Sequence, residues 1–311
     1  YTAPTTSPIV KYQPVLQTAA SGEARFDHDP LTGESKGLLI EEARTNLATH
    51  SKMNESLSNI SRGTVFANSI IAPDGSQTAN VYREDTANGA HHIQEIIPNE
   101  TANTVHTASV YLKNYGVSDV ALKMRISDSG DVYKQVFFDL DNIVVSFSGD
   151  AGYTGTITDV GNGWRRCTIT GDVGDGTNDL RVHVFTCQGT GTISSYTGNG
   201  WDGFGYWGLQ VEAGSFPTSY IPTSGSTVTR VGDNAEMTGA NLTDWFNPTV
   251  GSVYSEWSVI GIESGSNSQA LFGFDDGVSS NRIWFYAKGG DTGAQFIGSA
   301  YGTLTFAGVG P

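Results

Sequence analysis

Residues 201–230 read WDGFGYWGLQVEAGSFPTSYIPTSGSTVTR, and the first half of this stretch decides the fold. Within Tyr206 to Glu212 the apolar residues Trp207, Leu209 and Val211 occupy every second position. Successive side chains of an extended chain point to opposite faces, so this spacing predicts a strand. It buries Trp207, Leu209 and Val211 as structural core and shows Tyr206, Gln210 and Glu212 on the other face. Pro217 and Pro222 then stop the ladder, because proline has no amide hydrogen to pair. A last core strand, a turn and an exit from the domain are expected here.

The length of 311 residues suggests two domains. With 39 glycines, 14 phenylalanines and 13 tyrosines, the composition favours short strands joined by tight turns, so the fold class is all-β. Acidic residues outnumber basic ones by 32 to 17, the formal net charge is −15, and no Lys/Arg cluster occurs. Nucleic acid is therefore excluded as a partner for want of an electrostatic footprint. A cation or a neutral glycan suits such a surface better than a polyanion. No apolar run approaches the roughly 18 residues that span a bilayer, so no membrane insertion is expected. The N-terminal YTAPTTSPIV has neither the basic nor the apolar part of a signal peptide, and a start at Tyr1 suggests a portion of a longer chain.

The two cysteines, Cys167 and Cys187, fall on what read as neighbouring strands. Alternation places Cys167 with Ile169 and Cys187 with His183 and Phe185, on different sides of a sheet, so buried free thiols are expected in place of a disulfide. Residues 1–36, rich in Pro, Thr, Ser and Gly, read as an extended N-terminal arm. In it Asp27 and Asp29 lack the third ligand and closing Glu of a calcium loop and make an Asx/Pro turn. Glu41 and Glu42 are adjacent, point to opposite faces of a strand and do not flank one bond, so they read as solvated or salt-bridged. His91, His92 and His106 show no zinc spacing. No metal or cofactor is expected.

Residues 106–126 carry the clearest strand pattern. Ala108, Val110 and Leu112 alternate with Thr107, Ser109, Tyr111 and Lys113, and after Asn114-Tyr115-Gly116 the pattern resumes with Val120, Leu122, Met124 and Ile126. This reads as a hairpin with one wet face. Val136, Phe138 and Leu140 are the next inward set, Asp141-Asn142 a turn, and Ile143, Val145 and Phe147 the return; Leu180, Val182 and Val184 lead on to Trp207. Short strands at this spacing pack as two facing sheets, giving a jelly-roll β-sandwich over 37–233. From 234 to 311, Trp245, Phe246, Val253, Trp257, Val259, Leu271, Phe272 and Phe274 begin a second β-sandwich with too few strands to close.

Six motifs occur in order: GLLIEEARTNL (37–47), APDGS (72–76), SVYLK (109–113), GNGWRRC (161–167), WGLQVEAG (207–214), and TSYIPT (218–223) with Thr229-Arg230 after it. Together they resemble the carbohydrate-binding-module-like jelly roll of tailed-bacteriophage tail-fibre and virion structural proteins, over residues 37–233. The segment after Asn241 resembles the opening of a concanavalin-like or laminin-G-like sandwich. The resemblance implies a non-enzymatic virion component, such as a tail fibre, that meets host-surface glycan. It also implies assembly in the host cytoplasm with other virion proteins and with copies of itself, fibres often being trimers. It brings no established ligand-binding residue with it.

Sugars are held by flat aromatic faces beside hydrogen-bonding groups. The candidate glycan surface is accordingly the outward set Tyr111, Lys113, Tyr206 and Gln210 with nearby Trp201; plain packing or subunit contact is the competing role for these aromatics. A secreted bacterial glycan-binding module is the alternative implied by the same jelly roll, and a virion-associated glycan depolymerase a further one. No carboxylate pair across a cleft, nucleophile elbow or metal signature appears, so no catalytic residue is expected.

Overall fold

The computed structural model describes residues 16–53, 59–98, 104–126, 134–147, 152–173, 179–189, 193–247, 250, 254, 256, 258, 268–275, 282–288 and 294–299. The chain divides into two compact units, Tyr1–Glu236 and Met237–Pro311. Strands of the first unit are, in chain order, β1 (Phe26–His28), β2 (Ser35–Leu38), β3 (Arg44–Asn46), β4 (Asn59–Ser61), β5 (Gly63–Ile70), β6 (Ala79–Glu84), β7 (Asn88–Gly89), β8 (His92–Ile97) and β9 (Val105–Tyr115). They continue with β10 (Asp119–Ile126), β11 (Lys134–Asp139), β12 (Val144–Phe147), β13 (Thr154–Asp159), β14 (Trp164–Asp172), β15 (Leu180–Thr186), β16 (Tyr196–Thr197), β17 (Gly203–Ala213) and β18 (Val228–Arg230).

Two six-stranded sheets carry the fold, a front sheet ordered β12-β11-β10-β15-β8-β4 and a back sheet ordered β13-β14-β9-β17-β6-β5. The fold is all-β, a jelly-roll β-sandwich, as the strand spacing predicts. Ala108, Val110 and Leu112 of β9, Val120, Leu122 and Met124 of β10, Val136 and Phe138 of β11, and Leu180, Val182 and Val184 of β15 meet in one buried cluster between the sheets. Alternation thus identified these inward residues of β9, β10, β11 and β15 correctly, while the side chains of Ile126 and Phe147 lie outside the described residues.

It did not identify which strands pair. β9 lies between β14 and β17 in the back sheet, whereas β10 lies between β11 and β15 in the front one, so residues 106–126 are not a hairpin. The chain leaves the back sheet at Gly116, whose φ of 106° suits glycine. Ile143 is likewise no strand residue; it stands exposed in the β11–β12 turn at φ 57°, and the turn is fastened by Asp139 Oδ1, which accepts the amides of Asp141 and Asn142 at 2.9 Å each. Cys167 belongs to the inter-sheet core of the back sheet, and Cys187 packs with Ala121, Phe137 and Phe185 of the front sheet. Both are free and buried, but they are on different sheets and not on neighbouring strands.

β17 holds the main departure from simple alternation. Trp207 pairs with Tyr111 and Gln210 with Ser109, so Gly208 and Leu209 together face Val110 alone. This is a β-bulge, with Gly208 at φ 68° in the left-handed region that an extra strand residue requires. Phe204 and Tyr206 point into the inter-sheet core before the bulge, and Leu209 and Val211 do so after it. Trp207 is buried as expected but faces the other way, into a second cluster with Ala72, Ala79, Tyr111 and Trp164 on the outer side of the back sheet. Tyr206, placed on the wet side by the sequence, is in the core with 0% exposure.

The outer side is covered by the chain that follows β17. Residues 218–223 do not depart toward another domain; they fold back as a strap. Gln210 Nε2 donates to the carbonyls of Thr218 and Ser219 at 3.2 Å each, and its Oε1 accepts the Ile221 amide at 2.6 Å. Glu212 is fully buried and accepts the amide and hydroxyl of Thr218. Tyr220 lies against Trp207, ring centroids 4.5 Å apart. Thr229 and Arg230 then pair with Thr45 and Arg44, which places the last motif beside the first.

From residue 16 the N-terminal arm is docked, not merely extended. β1 and β2 form a hairpin closed by Asp29, whose Oδ1 accepts the amides of Leu31 and Thr32, and these bonds hold its carboxyl below the usual carboxylate range. Arg25 and Arg230 both bridge to Glu41 and Asp233, so the hairpin, the chain before β3 and the chain after β18 meet in one ion cluster. In the second unit a one-turn helix α1 (Ala240–Thr243) precedes β19 (Ser268–Asp275), β20 (Arg282–Lys288) and β21 (Ala294–Ser299), an antiparallel three-stranded sheet in that order. Val253, Trp257 and Val259 lie outside the described residues.

Because Trp207 and Tyr206 are both fully packed, on opposite faces, Trp207→Ala and Tyr206→Ala should each destabilise the protein by about 3–5 kcal/mol. The exposed Trp201→Ala should stay within about 0.5 kcal/mol. Urea unfolding midpoints of the three variants check this; a mild Tyr206→Ala would mean that the bulge is misplaced.

Candidate functional site

At one end of the sandwich, four stretches line an open polar recess of about 240 Å³: the end of β6, the crossing from Gly116 to Asp119, the residues after β15, and the loop from Thr197 to Asp202. Glu84, Asp119, Thr197, Asn199 and Asp202 are among its walls. The loop is fixed from within. Glu84 accepts the Tyr196 hydroxyl and, at 2.9 Å, the Asn199 amide. Asn199 Oδ1 accepts the amides of Trp201 and Asp202 at 2.8 and 2.9 Å, and its Nδ2 donates to Asp202 at 2.6 Å. At Gly198 an added Cβ would stand 2.1 Å from the Asp85 carbonyl, so only glycine lets the loop pass here.

This loop leaves Trp201 74% exposed. Water-facing indole of that extent gains nothing for the fold, and its backbone position is set by the same asparagine that borders the recess. Burial and then the neighbouring Asp139 raise the Asp119 carboxyl above the usual carboxylate range. The Cys187 thiol at the edge of the recess is pushed up to about 12, chiefly by burial, which keeps it protonated and unreactive at neutral pH. The geometry offers hydrogen-bonding groups in a recess and an exposed indole on the loop that forms one of its walls.

Of the five residues assigned to a glycan surface, the structure keeps Trp201 available and Lys113 in part. Tyr111 is 2% exposed, and Tyr206 and Gln210 are at 0%. Their expected outward face is corrected for two reasons: the bulge partners Tyr206 with the core, and the 218–223 strap covers Tyr111 and Gln210. Lys113 is half-buried, donating from Nζ to the Asn162 carbonyl at 2.7 Å and lying over the Trp164 ring at 5.8 Å. It serves the β13–β14 turn. Trp201 and Lys113 lie on different segments, and the walls of the recess include the loop of Trp201 only.

Sequence reading missed a neighbouring platform. β9 does not end at Lys113; its alternation runs on to Tyr115, which with Phe66 of β5 flanks Arg83 of β6. The Arg83 guanidinium carbon lies 5.0 Å from the Phe66 ring centroid and 5.2 Å from that of Tyr115. Both rings are partly open to solvent, at 44% and 38%. Extending the period-two pattern by one more residue pair would have reached Tyr115. Nothing local joins it to Phe66 or Arg83, which come together only through strand order.

No family model and no curated protein matches this chain. Among solved structures, similarity is found to the enzymatically active domain of bacteriophage CBA120 tailspike protein 4, at 14% identity and a TM-score of 0.31, over 50% of this chain and 18% of that one. The carbohydrate-binding module TmCBM61, solved with β-1,4-galactotriose, aligns at 11% identity and a TM-score of 0.28, over 52% of this chain and 97% of its own length. Likeness at this level assigns neither family nor ligand.

His91, His106 and His183 are buried, and His92 is half-buried. His91 lies under the Tyr196 ring, whereas His92 and His183 meet on the outer side of the front sheet with ring centroids 5.3 Å apart. Among the described residues no group of three or more His, Cys, Asp or Glu is placed to hold a metal ion. Burial, followed by His92, Lys123, Arg125 and Arg181, lowers the His183 pKa from 6.5 to about 3. The folded state therefore holds a neutral imidazole that the unfolded chain protonates below 6.5. Stability from this group is present above pH 6.5 and is lost as pH falls toward 3. Urea midpoints should decline from about pH 6.5 to about pH 5, before most carboxylates titrate, and His183→Gln should flatten that decline.

Proposed function

We propose that this chain is a non-enzymatic glycan-binding module of a bacteriophage virion structural protein, displayed on the particle and assembled with other virion proteins and with copies of itself. The observation that carries the binding role is Trp201, 74% exposed, whose backbone amide is fixed by Asn199 in the loop that walls the polar recess. A pyranose places its apolar C–H face on the indole, and its hydroxyls reach the Thr197, Asn199 and Asp202 side chains. Because Asn199 already fixes the loop, little conformational entropy is lost on binding. The virion context is supported by the six ordered motifs of the sequence.

The absence of a catalytic role is part of the same proposal. Glu84 is engaged by Tyr196 and Asn199, and the Cys187 thiol is protonated, so both act as walls. Titration of tryptophan fluorescence against a panel of host-surface oligosaccharides tests the reading. Saturable binding is expected in the micromolar to millimolar range, with Trp201→Ala weakening it at least about tenfold and leaving the melting temperature unchanged. No change in fluorescence at millimolar saccharide, across the panel, would sink it.

A further inference from the structure

We propose that Arg83, stacked between Phe66 and Tyr115, is the subsite for the carboxylate of an acidic sugar, a uronate or sialate residue, in the glycan that Trp201 engages. This rests on the glycan-binding reading and adds the ligand's chemical class. The geometry is that of a prepared anion receptor. The guanidinium is clamped between two rings at 5.0 and 5.2 Å, its Nη2 donates to the Tyr115 hydroxyl at 3.4 Å, and both rings stay partly open to solvent. A planar fork held by aromatic faces loses little freedom on pairing with a carboxylate and can bind it through two parallel hydrogen bonds.

Two open rings, more than charge alone, set this arginine apart, since among the described residues Arg62, Arg166 and Arg181 also lack a carboxylate partner. Acidic residues outnumber basic ones 32 to 17, and Arg25, Arg44, Arg165 and Arg230 each form an ion pair with a carboxylate. Among the described residues Arg83 has no carboxylate partner, and its Nε is buried without an acceptor. Its neighbour in sequence does not supply one. Glu84 points to the opposite side of β6, where Tyr196 and Asn199 hold it.

Position ties the platform to Trp201. Arg83 is paired in register with Gly203, two residues after Trp201, and Gly203 also bridges Gly116, the residue after Tyr115. The backbone of the platform and the end of the Trp201 loop therefore meet at one corner of the back sheet, and the proposal places adjacent residues of one oligosaccharide on the two. A net charge of −15 opposes a dense polyanion, but at physiological ionic strength screening over about 8 Å confines that repulsion to nearby charges. The expected ligand carries isolated acidic sugars among neutral ones.

The test is a glycan array followed by titration with matched pairs, each uronate- or sialate-containing oligosaccharide beside its uncharged methyl ester and a sulfated analogue. The acidic member should bind at least about tenfold more tightly than its ester. Arg83→Gln should bring that ratio to about one, keep affinity for the ester within about twofold, and keep the melting temperature. Arg83→Lys, which retains the charge without the fork, should recover only part of the preference. If esters bind through Trp201 and the acids bind no better, or if Arg83→Gln leaves the preference intact, the Arg83 assignment fails and the glycan reading stands. Tighter binding of the sulfated analogue also overturns the carboxylate assignment. If neither acid nor ester binds, the glycan reading itself falls.

Discussion

One extra residue in β17 governs the organisation of the first unit. At Gly208 two residues face one on β9, and this single count reverses the face of everything on one side of it relative to the other. Aromatic residues before the bulge and aliphatic residues after it can then fill the same inter-sheet core, while Trp207 turns outward to begin a second one. The position accepts only glycine. Its φ is 68°, and an added Cβ would lie 2.9 Å from the Tyr111 ring.

The bulge also creates backbone groups in need of partners. β6 pairs with β17 only from Gly203 to Tyr206, so the rest of that edge must be closed by another segment. Residues 46–51 do this: the Leu47 amide donates to the Val211 carbonyl and the Leu209 amide to the Ser51 carbonyl, each at 2.8 Å. Asn46 completes the closure with its side chain, donating to the carbonyls of Leu209 and Ile221 and accepting from the amides of Ala48 and Val211. All the hydrogen bonds an amide side chain can make are made, which is what a fully buried asparagine requires. Gln210 repeats the device one layer out, where it grips the 218–223 strap. These two side chains explain why the first and last motifs of the unit accompany the WGLQVEAG strand.

Much of this was legible from spacing and some of it could not be. Period-two alternation gave the inward residues of β9, β10, β11 and β15 correctly, because burial on one face is a local property of the strand. Sheet membership is not local. The same alternation is produced by a hairpin and by two strands on opposite sheets joined by an arch at Gly116, so residues 106–126 were ambiguous in principle. Nor does polarity betray a second covered face. Ser109, Gln210 and Glu212 look solvated, yet the strap supplies each of the latter two with backbone partners, and a satisfied polar group costs little to bury. In the candidate site only Trp201 was visible, as an aromatic residue in a glycine-rich turn. Phe66, Arg83 and Tyr115 are separated by 17 and 32 residues and meet through strand order alone.

The covered face in turn decides where recognition can take place. With Tyr111 and Trp207 sealed beneath residues 218–223, and Trp164 buried and donating to the Ile71 carbonyl, the middle of the back sheet offers a ligand no aromatic surface. What stays open is the corner where β5, β6, β9 and β17 run out together, past the reach of the strap. Glycines 116, 198 and 203 allow the loops there to approach within distances that a Cβ would forbid. Buried carboxylates are fixed on the fold's own donors, as Glu84 is by Tyr196 and Asn199 and Glu212 by Thr218. Arg44, Arg165 and Arg230 are fixed in the same way on Glu42, Asp159 and Glu41. Arg83, like Arg62, Arg166 and Arg181, has no such partner among the described residues, and it lies at the corner where the loop of the exposed Trp201 ends. A charge left without a carboxylate on so acidic a chain, and aromatic rings left without cover in a fold that seals the centre of this sheet, are most simply explained together. A ligand with an apolar face and an anionic group is the proposal that accounts for both.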